Sequence, residues 1–365
     1  MKETEQLAGI AFNCNDCGAD LTYSPGTRNI DCQYCGAKNE IEDAGQEIKE
    51  LDFHEQLSAT TESEHLPNKF VDCSACGASS SIESQITAAS CPYCAAPFVI
   101  ENAYDANIIL PKSLIPFQLK KEEAQKEFKQ WIGKSWFVPN DLKKAQLNFE
   151  RFKGVYIPYW TYDANYDTSY TGLRGDHYYV TETVRIGDKT VTRQVQKTRW
   201  TPASGSVNGF HDDLLVIAST SLPDKYAHKL EPWDLSKLTS YDEKFLSGFT
   251  VERYRIKLEE GFELAKEIGK PAIKSNVRQD IGGDVQTITT MNTDYTNITF
   301  KHLLLPIFVC AYKFKGESYQ FLINGQTGEV QGERPRSWIK ITLAILVGLA
   351  IIGGLIWAYL HFNQY

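Results

Sequence analysis

Eight of the nine cysteines in this chain fall into two copies of one spacing pattern, Cys-x₂-Cys-x₁₄-Cys-x₂-Cys. Each cysteine of the second copy lies 59 residues after its counterpart (73 − 14 = 59), which indicates a duplicated module. Two Cys-x₂-Cys turns can supply the tetrahedral set of four sulfurs that Zn²⁺ prefers. The pattern therefore predicts two structural zinc sites, whose ligands are Cys14, Cys17, Cys32 and Cys35 in the first copy and Cys73, Cys76, Cys91 and Cys94 in the second.

Other roles for these cysteines explain the pattern less well. Neither a disulfide framework nor a redox Cys-x₂-Cys pair requires four pairs at matched spacing, and a ribbon of about 35 residues has too little core to fold without its metal. Ligation across the 37-residue gap between Cys35 and Cys73 is the alternative to one zinc per copy. Glycine, which tolerates the positive φ of a tight knuckle, follows three of the four turns, and Ala95 follows the fourth.

The second strong feature is an uncharged run of 20 residues from Ile341 to Leu360. A helix of this length covers about 30 Å, which matches the hydrocarbon thickness of a bilayer. We expect a single transmembrane helix over residues 337–361. Its stripe of small residues is compatible with self-association into a homo-oligomer; the stripe is Ala350, Gly354 and Ala358.

The charges around this run predict its orientation. Arg334, Arg336 and Lys340 precede it, whereas His361 is the one basic residue that follows it. The positive-inside rule then places residues 1–340 in the cytoplasm, on the inner face of the plasma membrane. The polar start of the chain does not resemble a signal peptide. A reducing cytoplasm would also keep the eight thiols available for metal.

Charge along the chain argues against nucleic acid as the partner of the cysteine modules. Residues 1–110 carry 18 acidic and 5 basic side chains, a net charge of 5 − 18 = −13. Binding to phosphates requires clustered Lys and Arg, so this region would repel a polyanion. The stretch from Glu40 to Glu64 holds nine acidic residues and one Lys, and we interpret it as a solvated linker or a short acidic helix.

Residues 105–336 predict a β-rich α+β body. Residues 121–132 have the apolar spacing of an amphipathic helix, and 177–186 with 190–199 predict a hairpin. Residues 251–267 predict a helix that stops at Gly269, and 285–323 predict a meander of four strands. Pro158 is expected at a sheet edge or a bulge. A helix ending in Gly-Lys precedes a proline-centred apolar strand twice, which suggests two related units, and Cys310 is expected to be a core thiol.

Motifs of catalysis are absent from the sequence. Gly133-Lys134-Ser135 resembles the end of a phosphate-binding loop, but the required earlier glycine is replaced by Phe128. The best acid–base candidates are Asp176-His177 and His211-Asp212-Asp213, and polar residues in such strands are usually structural. We expect a protein that is not an enzyme; a hydrolase using His177 or His211 is the weaker alternative.

Several motifs resemble a family of bacterial membrane-associated zinc-ribbon proteins, often labelled TFIIB-type zinc ribbon or primosomal protein N′ (replication factor Y)-like. Besides the cysteine turns, they are Lys153–Tyr162 (KGVYIPYWTY), Arg199–Pro202 (RWTP), Glu231–Asp234 (EPWD), Asp280–Asp284 (DIGGD), Phe300–Pro306 (FKHLLLP), Asn324–Val330 (NGQTGEV) and Gly332–Pro335 (GERP). The helicase label does not fit this chain, because the phosphate-binding loop is incomplete. The resemblance implies a setting near phage-shock and flotillin-like (SPFH) genes of membrane stress, and it supplies no catalytic residues.

These features predict five regions: zinc ribbon 1 over residues 1–42, an acidic linker over 43–69, zinc ribbon 2 over 70–104, the α+β body over 105–336 and the transmembrane helix over 337–361. The function they favour is a non-enzymatic, membrane-anchored adaptor whose linker lets the ribbons reach cytoplasmic partner proteins. The partners implied by the resemblance are SPFH/flotillin-like or phage-shock-type proteins. The alternative is a membrane-tethered nucleic-acid-binding or transcription-related zinc-ribbon protein.

Overall fold

The computed structural model describes residues 12–42, 48–58, 69–82, 89–94, 96–98, 109–144, 152–186, 189–222, 224–314 and 317–362. Its helices are α1 Phe53–Ser58, α2 Lys121–Lys134, α3 Asn140–Lys144, α4 Asp224–Ala227, α5 Leu258–Ile281 and α6 Trp338–Phe362. Its strands are β1 Phe12–Asn13, β2 Asp20–Ser24, β3 Asn29–Cys32, β4 Lys38–Glu40, β5 Leu51–Asp52, β6 Lys69–Asp72, β7 Ser79–Ile82, β8 Ala89–Ser90, β9 Pro97–Phe98, β10 Ser113–Leu114, β11 Lys153–Ile186, β12 Lys189–Ile217, β13 Thr239–Ser240, β14 Thr250–Val251, β15 Val285–Phe314, β16 Glu317–Asn324 and β17 Val330–Gly332. The predicted class is confirmed: two cysteine modules near the N-terminus, a sheet-rich α+β body and one apolar C-terminal helix.

The body is built on the antiparallel pair of β11 and β15. Their proline-centred segments lie side by side, with Tyr156 opposite Pro306 and Pro158 opposite Leu304. Each long strand changes its outer neighbour along its length: β11 pairs first with β14 and then with β12, and β15 pairs with β16, β10 and β5. The order strand, helix, hairpin therefore occurs twice, as β10–α2–β11–β12 and as β14–α5–β15–β16.

The two central prolines occupy equivalent places in this arrangement. The carbonyl of Pro158 accepts from the N–H of Ala218, just past the end of β12, and that of Pro306 accepts from Gly325, just past the end of β16. The expectation of an edge or bulge at Pro158 is wrong, because it lies inside a central strand. The missing proline N–H is tolerated because the neighbouring strand ends there.

Side chains of the central pair alternate between two buried faces. On one face, Tyr156, Leu304 and Phe308 pack in a core with α2 and with the first cysteine module, whose Leu21, Tyr23 and Ile30 are buried there. On the other face, Val155, Ile157 and Leu305 pack in a core with Leu230 and Trp233 and with the second module, which contributes Val71, Ala78 and Tyr93. The two modules thus cover opposite faces of the same sheet. Cys310 is buried in the first core, as expected.

Beyond this core, β11, β12 and part of β15 continue as a three-stranded arm. The register runs from Ala164 opposite His211 to Ile186 opposite Lys189 on one side, and to Val285 opposite Gly175 on the other. Helix α5 covers one face of the arm through Ile273, Val277 and Ile281, which pack on Tyr166 and Tyr170. The predicted hairpin is confirmed, and its strands are far longer than the sequence pattern indicated; its turn at 187–188 lies outside the described residues.

Two sequence predictions for this region are wrong. The second long helix does not stop at Gly269 but runs from Leu258 to Ile281 with Pro271 inside it. Its apolar stripe continues past the proline as Ile273, Val277 and Ile281, so burial on the arm outweighs the helix-breaking tendency of Pro271. The predicted meander is likewise a single strand from Val285 to Phe314 followed by β16, because the polar residues that suggested turns lie on the open face of the arm.

The acidic stretch between the modules is only partly a linker. In its described part, Leu51 and Asp52 form β5, which pairs with Phe300 and Thr299 of β15, and α1 buries Phe53 against the arm. The predicted short helix is therefore present, and although most of residues 48–58 are exposed, β5 and Phe53 attach this part of the stretch to the body. The expectation that the ribbons reach outwards is also wrong, since both are packed on the body.

A four-group ion cluster holds this stretch in place. The ammonium group of Lys301 lies 2.8 Å from Asp213, 3.0 Å from Glu50 and 3.7 Å from Asp163. A hydrogen bond from Asp163 lowers the pKa of Glu50 to about 2, while burial and the neighbouring Glu50 raise the pKa of Asp163 to about 7. Near neutral pH Asp163 is therefore partly protonated, and this proton together with the Lys301 ion pairs links Glu50, next to β5, to the base of the arm.

Gly269 of α5 lies against His211, and an added Cβ would come 2.7 Å from the Nε2 atom of that buried ring. We expect Gly269→Ala to lower the free energy of unfolding by about 1–3 kcal/mol, because the ring is enclosed by Tyr166 and cannot move aside freely. Gly133→Ala in α2 is the matched control, since nothing lies within 4 Å of its Cβ position. Chemical denaturation of both variants checks this; equal stability of the two would contradict it.

Candidate metal centres

Each cysteine module brings four sulfurs to one point. Within each group, the Sγ atoms all lie within 4.8 Å of one another. The shortest separations are 3.5 Å for Cys14–Cys35 and Cys17–Cys32, and 3.5 and 3.6 Å for Cys73–Cys94 and Cys76–Cys91. A disulfide requires about 2.05 Å, whereas four sulfurs at about 2.3 Å from a tetrahedral ion would be about 3.8 Å apart. The two tetracysteine clusters therefore fit two structural metal sites, one in each module.

The knuckles that position these sulfurs repeat one backbone geometry. The N–H groups of Gly18, Gly36 and Gly77 donate to the carbonyls of Cys14, Cys32 and Cys73 at 2.7–3.1 Å, and the three glycines have φ of 75–76°. This left-handed conformation is strained for a residue with a Cβ, which explains why the sequence repeats glycine here. Ala95, at the fourth turn, lies outside the described residues. In the first module, β2 and β3 form an antiparallel hairpin between the knuckles.

The sulfurs of the first module differ in proton affinity. The backbone N–H groups of Cys35 and Tyr34 donate to Cys32 and lower its pKa to about 6. The N–H of Ala37 acts in the same direction on Cys35, but hydrogen bonds among the sulfurs outweigh it and raise the pKa of Cys35 to about 12. Four close thiolates repel one another, so some of these sulfurs hold protons when no cation is bound. A metal ion binds thiolates, so its binding releases these protons. The grouping is thus suited to a metal ion, and ligation by all eight cysteines stays a prediction.

Both modules dock on a single short segment of the body, Phe245–Arg255, which we call the docking segment. In the first module, the N–H of Tyr23 donates to the carbonyl of Ser247 at 3.1 Å, and the Ser247 hydroxyl donates to the carbonyl of Leu21 at 2.5 Å. The ring of Tyr23 also meets Phe245 edge-on, with centroids 5.3 Å apart. These contacts fix the first cluster against one side of the sheet.

The second module is held by a buried carboxylate. Glu252 is 2% exposed and accepts a hydrogen bond from the Tyr93 hydroxyl at 2.5 Å, and it also accepts from the hydroxyls of Ser219 and Ser221. Burial raises the pKa of Glu252 to about 7, although these hydrogen bonds oppose the shift. Burial and the charge of Glu252 raise the pKa of Tyr93 well above its usual value, so the phenol keeps its proton and donates it.

An ion pair adds to this contact. Arg255 lies 2.7 Å from Asp72, one residue before the first cysteine of the module, and it donates to the carbonyl of Gly77 at 2.9 Å. The N–H of Val251 donates to the Ser81 hydroxyl at 3.0 Å, and Ser80 forms a β-bridge with Glu252. The carbonyl of Gly77 belongs to the knuckle itself, so the docking segment contacts the metal-binding turn directly.

Sequence reasoning found the eight cysteines but missed Tyr93, Glu252 and Arg255. Tyr34 and Tyr93 occupy matched positions, 59 residues apart, between the last two cysteines of each module. Tyr34 is 84% exposed, whereas Tyr93 is 3% exposed. The repeat could have flagged the pair, but nothing in the sequence indicated which tyrosine would meet a buried carboxylate.

The acid–base candidates are not brought together. His211 lies at the base of the arm, between Tyr166 and Tyr295, where burial lowers its pKa. His177 lies 13 residues further along β11 than Ala164, the partner of His211, which corresponds to about 43 Å along an extended strand. Its Nδ1 atom pairs with the Thr198 hydroxyl at 3.0 Å. His177 and His211 therefore cannot act in one site of this chain.

Comparison with known proteins gives a distant relative of the whole chain. The Bacillus subtilis (strain 168) protein named "Uncharacterized protein YdjG" is 26% identical over 334 residues, which cover 91% of this chain and 92% of that protein. No family model matches the chain. No solved structure matches it either.

The purified full-length chain is expected to contain two equivalents of metal, one for each cluster. Cys17→Ser should remove about one equivalent, because a structural site needs all four sulfurs. Cys310→Ser, in the core and outside both clusters, is the control and should retain both. Elemental analysis of protein purified without chelators measures this; less than one equivalent in the unaltered chain would contradict the assignment.

Tyr93→Phe is expected to weaken the docking of the second module by about 1–3 kcal/mol, because it removes the one hydroxyl donor to Oε2 of the buried Glu252, while Ser219 and Ser221 donate to Oε1. Tyr34→Phe, at the matched exposed position, should change stability by less than about 0.5 kcal/mol. Hydrogen exchange of residues 69–82 and 89–94 measures the docking. If Tyr93→Phe and Tyr34→Phe leave exchange in these residues equally unchanged, Glu252 does not hold the second module.

Proposed function

We propose that this protein is a non-enzymatic, single-pass membrane adaptor that recruits partner proteins to the cytoplasmic face of a bacterial inner membrane. The observation that carries the proposal is the arm. Strand β15 runs from the end of the body near α6 to the end of the three-stranded part. Its Cys310 lies level with Gly332, just before α6, and its Val285 ends the three-stranded part. The 25 residues between them (310 − 285 = 25) span up to about 80 Å. A strand of this length carries the end of the arm far from the end of the body that carries α6.

The surface of the arm suits binding to another protein. The face away from α5 carries exposed, short polar side chains in register on its three strands: Asp167, Ser169 and Thr171 on β11, Ser204, Ser206 and Asn208 on β12, and Thr290, Asn292 and Asp294 on β15. In the described part of the chain, β12 pairs with β11 alone, so no further strand covers its outer edge. Open edges are templates for addition of a partner strand.

Zn²⁺ is the metal that we propose for both clusters, because four thiolates in a tetrahedral arrangement suit it and leave no open position for chemistry. The metal would then act structurally, by holding each module in the shape that fits the docking segment. When bound, it supplies four metal–sulfur bonds per module in place of a hydrophobic core.

Helix α6 supports the membrane anchor. The stretch Trp338–Tyr359 is 22 residues long, 0% buried and apolar enough to cross a bilayer. Burying its exposed Leu, Ile and Val side chains in lipid would remove the largest apolar surface of the chain from water. The basic residues before the helix support a cytoplasmic body. The stripe Ala350, Gly354 and Ala358 supports self-association through this helix.

The resemblance to membrane-associated zinc-ribbon proteins supports SPFH/flotillin-like or phage-shock-type proteins as partners. A nucleic acid is the second candidate, and one observation favours it. Arg185 and Arg199 are exposed cations near the far end of the hairpin. Two further cations there, Arg193 and Lys197, are instead paired with the carboxylate of Glu182, at 3.9 and 3.0 Å. A steep loss of DNA affinity between low and moderate salt would support this candidate, and no measurable binding would refute it.

The structure suggests a variant that tests the adaptor directly. Asp176 lies opposite Arg199, so replacing residues 177–198 with an Asn-Gly turn removes the two-stranded end of the hairpin and preserves the register below it. We expect this variant to stay in the membrane pellet after an alkaline wash, to keep its metal, and to lose those partners, captured by the full chain from detergent-solubilised membranes, that add to the outer part of the β12 edge, residues 189–198.

The outcomes separate the parts of the proposal. Recovery of the full chain in the supernatant after the wash would refute the anchor. Capture of no protein above background by the full chain would refute the adaptor. An unchanged set of partners with the shortened hairpin would show that the end of the arm is not the binding surface.

A further inference from the structure

The loop between α2 and α3, residues 135–139, lies beside the first turn of α6. The N–H of Ser337 donates to the carbonyl of Phe137 at 2.8 Å. The ammonium group of Lys340 donates to the carbonyl of Val138 at 2.9 Å and to the Oδ1 atom of Asn140 at 2.8 Å. Val138 is buried and anchors the loop to the body. The loop is therefore fixed at the level where α6 begins.

This loop presents aromatic side chains next to the apolar helix. Trp136 is 52% exposed and Phe137 is 43% exposed, and Trp338 at the start of α6 is 80% exposed. Large aromatic side chains on a fixed backbone are costly to expose to water, whereas the boundary between lipid headgroups and acyl chains favours Trp. The exposed rings of Trp136 and Phe137 therefore lie beside the start of the apolar helix, where the ammonium group of Lys340 is 5.9 Å from the centre of the Trp136 ring.

A basic cavity adjoins the loop. It has a volume of about 850 Å³ and lies between residues 131–138, β17 and the start of α6. Three cations line it, namely Lys229, Arg334 and Arg336, and the guanidinium of Arg334 lies 3.6 Å from the centre of the Trp131 ring. The one lining carboxylate, Glu333, is paired with Lys225 at 3.1 Å. The cavity thus has an excess of positive charge facing the base of the apolar helix.

We propose that this surface binds an anionic phospholipid of the cytoplasmic leaflet, with the Trp136–Phe137 pair at the headgroup boundary and the lipid phosphate in the cavity beside Arg334 and Arg336. The inference rests on the proposed membrane anchor and deepens it, because it adds a second contact between the body and the bilayer. Cytoplasmic leaflets carry a negative surface potential that attracts such clusters. Two contacts, α6 and the loop, would fix the orientation of the body on the membrane and hold the arm away from it.

The first test locates Trp136 relative to lipid. The full chain is labelled with 5-fluorotryptophan and placed in nanodiscs of phosphatidylcholine and phosphatidylglycerol, with and without a lipid spin-labelled near its headgroup. Single Trp→Phe variants assign the fluorine signals. We expect the signals of Trp136 and of Trp357, inside α6, to broaden with the spin-labelled lipid. Trp200, 45% exposed near the far end of the arm, is the control and should not broaden.

The signals of Trp357 and Trp136 test the membrane anchor and the loop contact separately. If the signal of Trp357 broadens but that of Trp136 broadens no more than that of Trp200, the loop contact is overturned and the anchor is left intact. No broadening of Trp357 would overturn the anchor, and the lipid site would fall with it.

The second test addresses the headgroup. Native mass spectrometry counts the phosphatidylglycerol molecules retained by the full chain after release from the nanodiscs. Arg336→Gln should reduce retention by about fivefold, the effect of one cation near an anionic surface. Lys274→Gln, an exposed charge on α5, is the control and should leave it unchanged. Equal retention in both variants, or equal retention of phosphatidylcholine and phosphatidylglycerol by the unaltered chain, would overturn the anionic-lipid site.

Discussion

The antiparallel pairing of β11 and β15 is the interaction on which the rest of this structure depends. Residues 155–159 of β11 and 303–309 of β15 are buried on both faces of the sheet. This part of the sheet is therefore stable only when other elements cover both of its faces. The first cysteine module and α2 cover one face, and the second module and the segment around Trp233 cover the other. Each module is too small to hold its shape by apolar burial alone. We therefore expect the stability of the body to depend on metal bound in the modules.

The docking segment explains how this coupling is transmitted. It runs between the two modules, contacts the first through Phe245 and Ser247, and contacts the second through Glu252 and Arg255. Its strand β14 also pairs with β11 in parallel. A change in the shape of either module would thus reach the central strands within a few residues. The cysteine modules pack in the core of the body, and the arm is the element that we propose as the partner-binding surface.

The sequence allowed the local features to be predicted and not the way in which they assemble. Cysteine spacing predicted both clusters, because ligand geometry imposes a rigid spacing, and the uncharged run predicted α6, because bilayer thickness imposes a length. The packing of the modules depended on Tyr93 and Glu252, which are 159 residues apart, and no local pattern connects them. The lengths of β11, β12 and β15 were also underestimated, because Gly, Ser, Thr and Asn in the arm resemble turn signals when only one face of a sheet is covered. Pro271 led to the wrong prediction of a helix end, because burial of α5 on the arm outweighed the local tendency of proline to break a helix.

Hydrogen exchange across the central strands, with and without removal of metal by a chelator, tests the account most directly. Residues 303–309 of β15 contain no cysteine of either cluster, and they are covered by both modules. The account predicts that stripping the metal increases exchange in residues 155–159 and 303–309, while re-addition of Zn²⁺ restores protection. A metal-free chain that keeps full protection in these strands would contradict it.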